Sequence, residues 1–306
     1  METLEKILGL FNKSRKKTVG NYGQAPDTTA SQQKPVDMIV QKATVETTEK
    51  GGKAALDPML NEYIQTLESI YSRILGESVE EYCRKGWGGE ISWRSVMGYE
   101  ERGIEAVLRQ NGVIYKGIWA PIGNRQSVID QLEVVKEHGY VPHSERMNGM
   151  STTVFPEIAE DFAKGDTYHN GYGKAEVGVL YTFRVHDDSS IITPSRAPDY
   201  TSEHGGYYAS PHYTHEGEIF VPAWEYYHID DIVSIKVYKR KKYPDKGYEI
   251  KEFLPTTQKK AVRRVIGGKL KTTEEAVFTP EEIGGIIQYI EEDQDRKYDE
   301  NQLQTN

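Results

Sequence analysis

Tyr213-Thr214-His215-Glu216-Gly217-Glu218-Ile219-Phe220-Val221-Pro222 is the stretch that decides how the chain is read. Ile219, Phe220 and Val221 favour a strand, and Pro222 ends its ladder because it has no N–H to donate. Residues two apart in a strand share a face, roughly 6.6 Å apart. Glu216 and Glu218 are therefore expected to point the same way at the start of an otherwise apolar strand. Like charges so placed repel unless they meet solvent or a ligand. A solvated strand end satisfies the pattern as well as a site does, so the rest of the chain has to decide.

The 306 residues carry a formal net charge of −9. That length suits one domain of about 200 residues with extensions. No run of roughly 18 apolar residues occurs, so no transmembrane helix is expected. The acidic balance argues against nucleic acid as the main partner, with basic patches as local exceptions. Cys83 is the sole cysteine, which excludes an intrachain disulfide framework and favours the cytosol. Met1-Glu2-Thr3, with Glu5 and Lys6 interrupting the first apolar residues, is not the pattern of a secretory signal peptide. A cytoplasmic location is expected, in the producing or the target cell, with a phage virion or a secreted effector as alternatives. Tyrosine is abundant, 21 against 7 Phe, which suits clefts that are apolar at one end and wet at the other. A β-rich surface uses tyrosine equally.

Leu4, Ile7, Leu8 and Phe11 predict a short amphipathic helix over 1–13, able to dock a partner or to pack on its own domain. Residues 14–55 read as a flexible linker rich in Thr, Gln, Lys, Gly and Ser. The core domain is expected over 56–253. Asp57-Pro58 opens a helix carrying Leu60, Ile64, Leu67, Ile70, Tyr71 and Ile74, with Gly76 as its stop. Ser78 and Glu81 form a candidate capping box. A third helix is read over Glu101–Gln110, then a buried strand from Gly112 to Ile118 and a helix over Ser127–His138. Met150–Val154 is a short strand with three consecutive hydroxyls, and Pro156–Lys164 a helix capped by Gly165. Glu176–Val185, Ile191-Ile192, Ile232–Val237 and Tyr248–Phe253 supply further strands, and 195–215 a long loop. Helices come first and strands dominate later, so the expected class is α+β. Residues 254–306 are read as an extension: a basic run from Lys259 to Lys271, a short helix over 279–291 and a polar tail.

Three of these stretches resemble the mono-ADP-ribosyltransferases of the arginine-specific, toxin-like type. That family carries an Arg, then Ser-Thr-Ser/Thr, then Glu-x-Glu on three separate strands. Here the second is Ser151-Thr152-Thr153 and the third Glu216-Gly217-Glu218. Tyr213 stands three before Glu216, where the family's substrate loop carries an aromatic. Gly98-Tyr99-Glu100, Ile104 and Leu108 resemble the helix that precedes the first strand. At the first element the family has Tyr-Arg-Gly and this chain has Tyr115-Lys116-Gly117. Lys keeps the charge and loses the planar bidentate fork. Arg125, Arg146 and Arg184 are candidates to support it.

The resemblance, which covers about residues 57–252, implies an ADP-ribosyltransferase-like fold: two facing β-sheets with a helical N-terminal portion. It implies NAD as substrate, bound by Tyr115, Lys116, Gly117, Ser151, Thr152 and Thr153. Glu218 would stabilise the oxocarbenium-like ribose as the C–N glycosidic bond breaks, held by Ser151. Glu216 would orient an incoming arginine guanidinium and take its proton, and Tyr213 would offer it a face. No metal is implied. His204, His212 and His215 lie close together in the chain, but their spacing fits no zinc pattern. A bacterial toxin or effector and a bacteriophage enzyme acting on host protein both fit. Two other readings stay open: an inactive binding module on the same fold, and an NAD glycohydrolase. An RNA 5′ end is an alternative acceptor within the family.

Overall fold

A computed structural model of the chain describes residue 56 and residues 58–142, 149–166, 173–185, 217–222, 227–241 and 247–292. The chain divides into two units, Met1–Asp57 and Pro58–Asn306. The expected helix at 1–13, the linker at 14–55, Ile191-Ile192 and the loop at 195–215 lie outside the described residues.

The second unit opens with three helices. In α1 (Pro58–Leu75), Leu60, Leu67 and Tyr71 are buried, whereas Ile74, on the last turn, is 41% exposed. α2 (Val79–Gly86) begins on the predicted capping box of Ser78 and Glu81. α3 runs Trp93–Asn111, about two turns longer than the pattern predicts at its N-terminus. Ser92 and Ser95 cap it reciprocally. Gly98 and Gly103 lower its helix propensity, but Val96, Tyr99, Ile104, Val107 and Leu108 are buried, and that packing prevails.

The strands follow as β1 (Val113–Pro121), β2 (Gly149–Thr153), β3 (Ala175–Arg184), β4 (Glu218–Pro222), β5 (Ile232–Arg240) and β6 (Tyr248–Phe253). They form one antiparallel sheet in the order β4-β2-β1-β3-β5-β6. α4 (Gln126–His138) follows β1, and α5 (Pro156–Lys164) follows β2. A second antiparallel sheet is the hairpin β7 (Gln258–Ile266) and β8 (Lys269–Val277), closed by Gly267-Gly268. α6 (Pro280–Glu291) ends the described chain on a Thr279–Glu282 capping box, with Ile283, Ile286 and Ile290 buried. The class is α+β, as expected, and the two sheets differ greatly in size.

Residues 254–292 are no appendage. Arg184, 2% exposed, donates from Nε to Glu275 on β8 at 2.9 Å, and Arg264 reaches the same carboxylate at 3.1 Å. Further along, Arg125 pairs with Glu176 at 2.5 Å and donates from Nη1 to the Ile290 carbonyl of α6 at 3.1 Å. These bonds fasten the hairpin and last helix to the main sheet.

α5 lies against β1 and β3 with almost no spacing. A Cβ on Gly117 would stand 2.1 Å from the Ala159 carbonyl oxygen, and one on Gly178 would stand 1.6 Å from that of Ala163. Both obstacles are backbone, which cannot swing aside. Gly178→Ala is therefore expected to cost about 3 kcal/mol, lowering the thermal midpoint by on the order of 10 °C. A midpoint within 2 °C of wild type, roughly the effect of an ordinary surface change, would refute the close approach.

The Glu275 carboxyl gives a second check. Burial opposes its charge, but hydrogen bonds from Thr273, Arg184 and Arg264 prevail and pull it down to about 2. A depressed acid contributes stability that is present above the ordinary carboxylate range and lost as pH falls toward 2. Glu275→Gln should cost about 3 kcal/mol at pH 7 and give a shallower loss of stability between pH 4.5 and 2, followed by urea unfolding.

Candidate active site

β4 begins at Glu218, and the residue before it sets how it begins. Gly217 sits at φ +57, the left-handed region that favours glycine, and a Cβ there would meet the Phe155 ring at 2.5 Å. Gly217 is therefore not extended, and Glu218 is the first residue of the strand. Glu216 and Tyr213 lie outside the described residues, as do Arg146, His204, His212 and His215.

β2 and β4 pair in register, with Thr153 opposite Glu218, Thr152 opposite Ile219 and Ser151 opposite Phe220. Ser151 and Glu218 are thus diagonal neighbours on one face. The Ser151 hydroxyl donates to Glu218 Oε1 at 2.6 Å. Glu218 is only 7% exposed. A charge-assisted bond of this kind fixes the carboxylate's direction and compensates part of its burial.

The other two hydroxyls of the triplet hold backbone. Thr152 Oγ1 donates to the Ile219 carbonyl at 2.8 Å, tying β2 to β4 on the opposite face. Thr153 Oγ1 accepts from the Phe155 N–H at 3.0 Å, ordering the turn into α5. Both side chains are buried.

On β1 the three expected residues separate. Tyr115 packs with Ala159, Ala163, Leu180 and Tyr238 beneath α5, and Gly117 is where α5 touches the strand. Lys116, of opposite parity, turns away from α5. It lies opposite Tyr181 across the β1–β3 pair, and its Nζ is 3.5 Å from the Ser151 carbonyl, a long hydrogen bond. Among the described residues no carboxylate pairs with Lys116. Desolvation pushes its ammonium down to about 8. The two described arginines that were candidates to support it are already engaged, Arg125 with Glu176 and Arg184 with Glu275.

The structure therefore joins Ser151 to Glu218 by their side chains, with Lys116 reaching only the Ser151 backbone. It gives Thr152, Thr153, Tyr115 and Gly117 packing or backbone duties. It also adds two residues that the sequence reading missed. Glu100, 1% exposed on α3, accepts a hydrogen bond on Oε2 from the Tyr63 hydroxyl of α1. Its carboxyl is pushed up to about 8 by burial, against the Tyr63 bond and with the Glu218 charge adding to the rise. A signal was available: Glu100 falls on the stripe of Val96, Tyr99, Ile104, Val107 and Leu108, a carboxylate among core positions. Among the described residues no group of three His, Cys, Asp or Glu is placed to hold a metal. No helix there is long and apolar enough to cross a membrane.

No family matches the sequence, and no curated protein does. Among solved structures, a chain titled EcPltA is similar at 10% identity, over 55% of this chain and 91% of that one, with a TM-score of 0.28. A likeness that slight bears on neither fold family nor activity.

Lys116 yields a prediction in the free protein. A base whose folded value lies below its ordinary one weakens the fold at neutral pH, and the burden lifts as pH rises from about 8 toward 10.5. Lys116→Met should stabilise by about 1–2 kcal/mol at pH 7, a gain that shrinks across that window. Chemical denaturation at pH 7 and pH 10 reads both, and a destabilised Lys116→Met at pH 7 would contradict it.

Proposed function

We propose that the chain is an NAD-dependent mono-ADP-ribosyltransferase that modifies an arginine side chain of a protein. The observation that carries the reading is the hydrogen bond from the Ser151 hydroxyl to the buried Glu218 carboxylate; Lys116, whose ammonium reaches the Ser151 backbone carbonyl, has no described carboxylate as a partner. Chance would more readily give a solvated Glu at a strand end than a buried one oriented by the middle strand's hydroxyl. A desolvated cation without an acidic partner is suited to an anion, and the diphosphate of NAD is one.

NAD carries nicotinamide on ribose through a C–N bond, which breaks with the electron pair leaving on nicotinamide. Glu218, held by Ser151, faces the positive charge that develops on the ribose and lowers its energy. Lys116 neutralises phosphate charge as a point cation, without an arginine's bidentate grip. Glu216 takes a proton from the guanidinium, whose nitrogen then forms the new bond to the ribose carbon. On this reading the ADP-ribosyltransferase-like fold places the substrate against β1, β2 and β4. Water in place of arginine gives the glycohydrolase reaction, and loss of Lys116's function gives an inactive module.

Incubation of the full chain with NAD labelled in its adenylate part, with bacterial and eukaryotic lysates, separates these. Nuclease-resistant label on discrete protein bands is expected, falling about 100-fold or more in Glu218→Ala. Glu216→Ala should retain nicotinamide release and lose protein labelling. Free ADP-ribose alone would favour the glycohydrolase, and neither product from folded protein would refute the enzyme reading.

A further inference from the structure

β6 is the outer strand of the main sheet, and no described strand pairs with its free side. Such an edge presents a row of backbone N–H and C=O groups that a further strand can join. Glu249, Ile250, Lys251 and Glu252 are all exposed there, Ile250 at 52%. Proteins commonly blunt an open edge with charge, and β6 carries three charged residues. What sets it apart from a guarded edge is the order in which those charges run.

In an antiparallel ladder, alternate residues turn their backbone groups to the same side. Residues of one parity in β6 bond β5, so those of the other parity face outward. A strand that pairs with its own copy about a twofold axis must then set like parities opposite, and the axis falls on a single residue. Centred on Glu249, Lys251 or Glu252, the pairing sets that charge against itself. Centred on Tyr248 or Phe253, at the ends, it leaves most of the strand unpaired. Centred on Ile250, it sets Ile250 against Ile250, Glu249 against Lys251 and Lys251 against Glu249. Both charged side chains are already held by α6. The Tyr289 hydroxyl donates to Glu249 Oε1 at 2.8 Å, and the Lys251 ammonium stands 4.4 Å from the Tyr289 ring and 4.8 Å from that of Phe253. Side chains ordered in advance lose less freedom on pairing. Within its own sheet Glu249 faces Lys239 of β5, so Lys251 of a second copy would continue an alternation of charge across the strands.

We infer that β6 is a homodimer interface, at which the chain pairs with a second copy of itself, antiparallel about Ile250. The two six-stranded sheets then join into one continuous sheet. The twofold axis makes the Glu249–Lys251 contact twice and closes the assembly at two copies, with no edge at β6 left to grow. β4, which carries Glu218, lies at the opposite edge of the sheet, so the pairing leaves the Ser151–Glu218 bond uncovered. The dimer does not depend on the transferase reading.

Sedimentation velocity on the full chain, over about 1 μM to 1 mM of protein, reads the association. A short edge makes a small interface, so a wild-type dimer with a Kd of about 1–100 μM is expected. Lys251→Glu turns both Glu–Lys contacts into acid against acid, and Glu249→Lys turns both into base against base. Each should weaken the dimer by about tenfold or more. Mixed in equal amounts, the two variants regain both contacts, and a mixed dimer of near wild-type affinity should form. Ile250→Asp sets like charges on the axis and should abolish association. Glu249→Lys also lays a base beside Lys239 of its own sheet; if it fails to fold, Lys251→Glu and Ile250→Asp decide. A wild-type chain that stays monomeric throughout, as it would if another segment or a different protein takes the edge, overturns the inference. So does a dimer that the substitutions leave intact, which would lie at another surface.

Discussion

The contact on which the site depends is the near-touching of α5 and the main sheet. Gly117 and Gly178 let the backbone of Ala159 and Ala163 reach β1 and β3 closer than any side chain would allow. β2 runs into α5 through the turn that Thr153 orders, so the depth of α5 also fixes where Ser151 lies. At that turn stands Phe155, packed against the residue that precedes Glu218. One backbone approach thus locates both partners of the Ser151–Glu218 bond, from one side through β2 and from the other through Gly217.

Wherever local chemistry decides the structure, it was legible in the sequence. Pro156 and Gly165 bound α5 because one suits a first turn and the other a left-handed stop, and the helix lies exactly between them. The Ser78–Glu81 and Thr279–Glu282 boxes start their helices for the same local reason. α3 was read short because Gly98 and Gly103 argue locally against the helix that tertiary packing imposes. Gly103 is required there, since a Cβ would enter the Tyr71 ring at 2.4 Å. The hairpin β7–β8 was read as a solvated basic run. Lys259-Lys260, Ala261-Val262 and Arg263-Arg264 come in pairs and do not alternate, so the strand period is hidden, and the two-residue turn Gly267-Gly268 is the hairpin signal that remains.

The candidate site was legible in its pairing and illegible in its division of labour. Ser-Thr-Thr and Glu-x-Glu place Ser151 near Glu218, and the register of β2 on β4 realises that. Spacing alone does not say that Thr152 and Thr153 turn to backbone, or that Tyr115 and Gly117 serve α5, because those duties depend on which elements pack on each face. Glu100 lies outside every motif. Its one sequence signal is a carboxylate on the apolar stripe of α3, and its partner, Tyr63, shows only when α1 and α3 are packed together.

The charges divide by how they are compensated. Glu275 accepts from Arg184, Arg264 and Thr273, and Glu176 from Arg125 and the Gly123 N–H, so those carboxylates strengthen the fold. Lys116 and Glu100 are desolvated with a carbonyl for the one and a tyrosine hydroxyl for the other, and each is driven toward neutrality. A fold that satisfies its structural ions this thoroughly has the means to satisfy these two as well. Stability alone would favour a methionine at 116 and a glutamine or leucine at 100. Strained ionisation in an otherwise compensated core marks positions where something other than folding sets the residue, and Lys116, bonded to the strand that carries Ser151, is one of them.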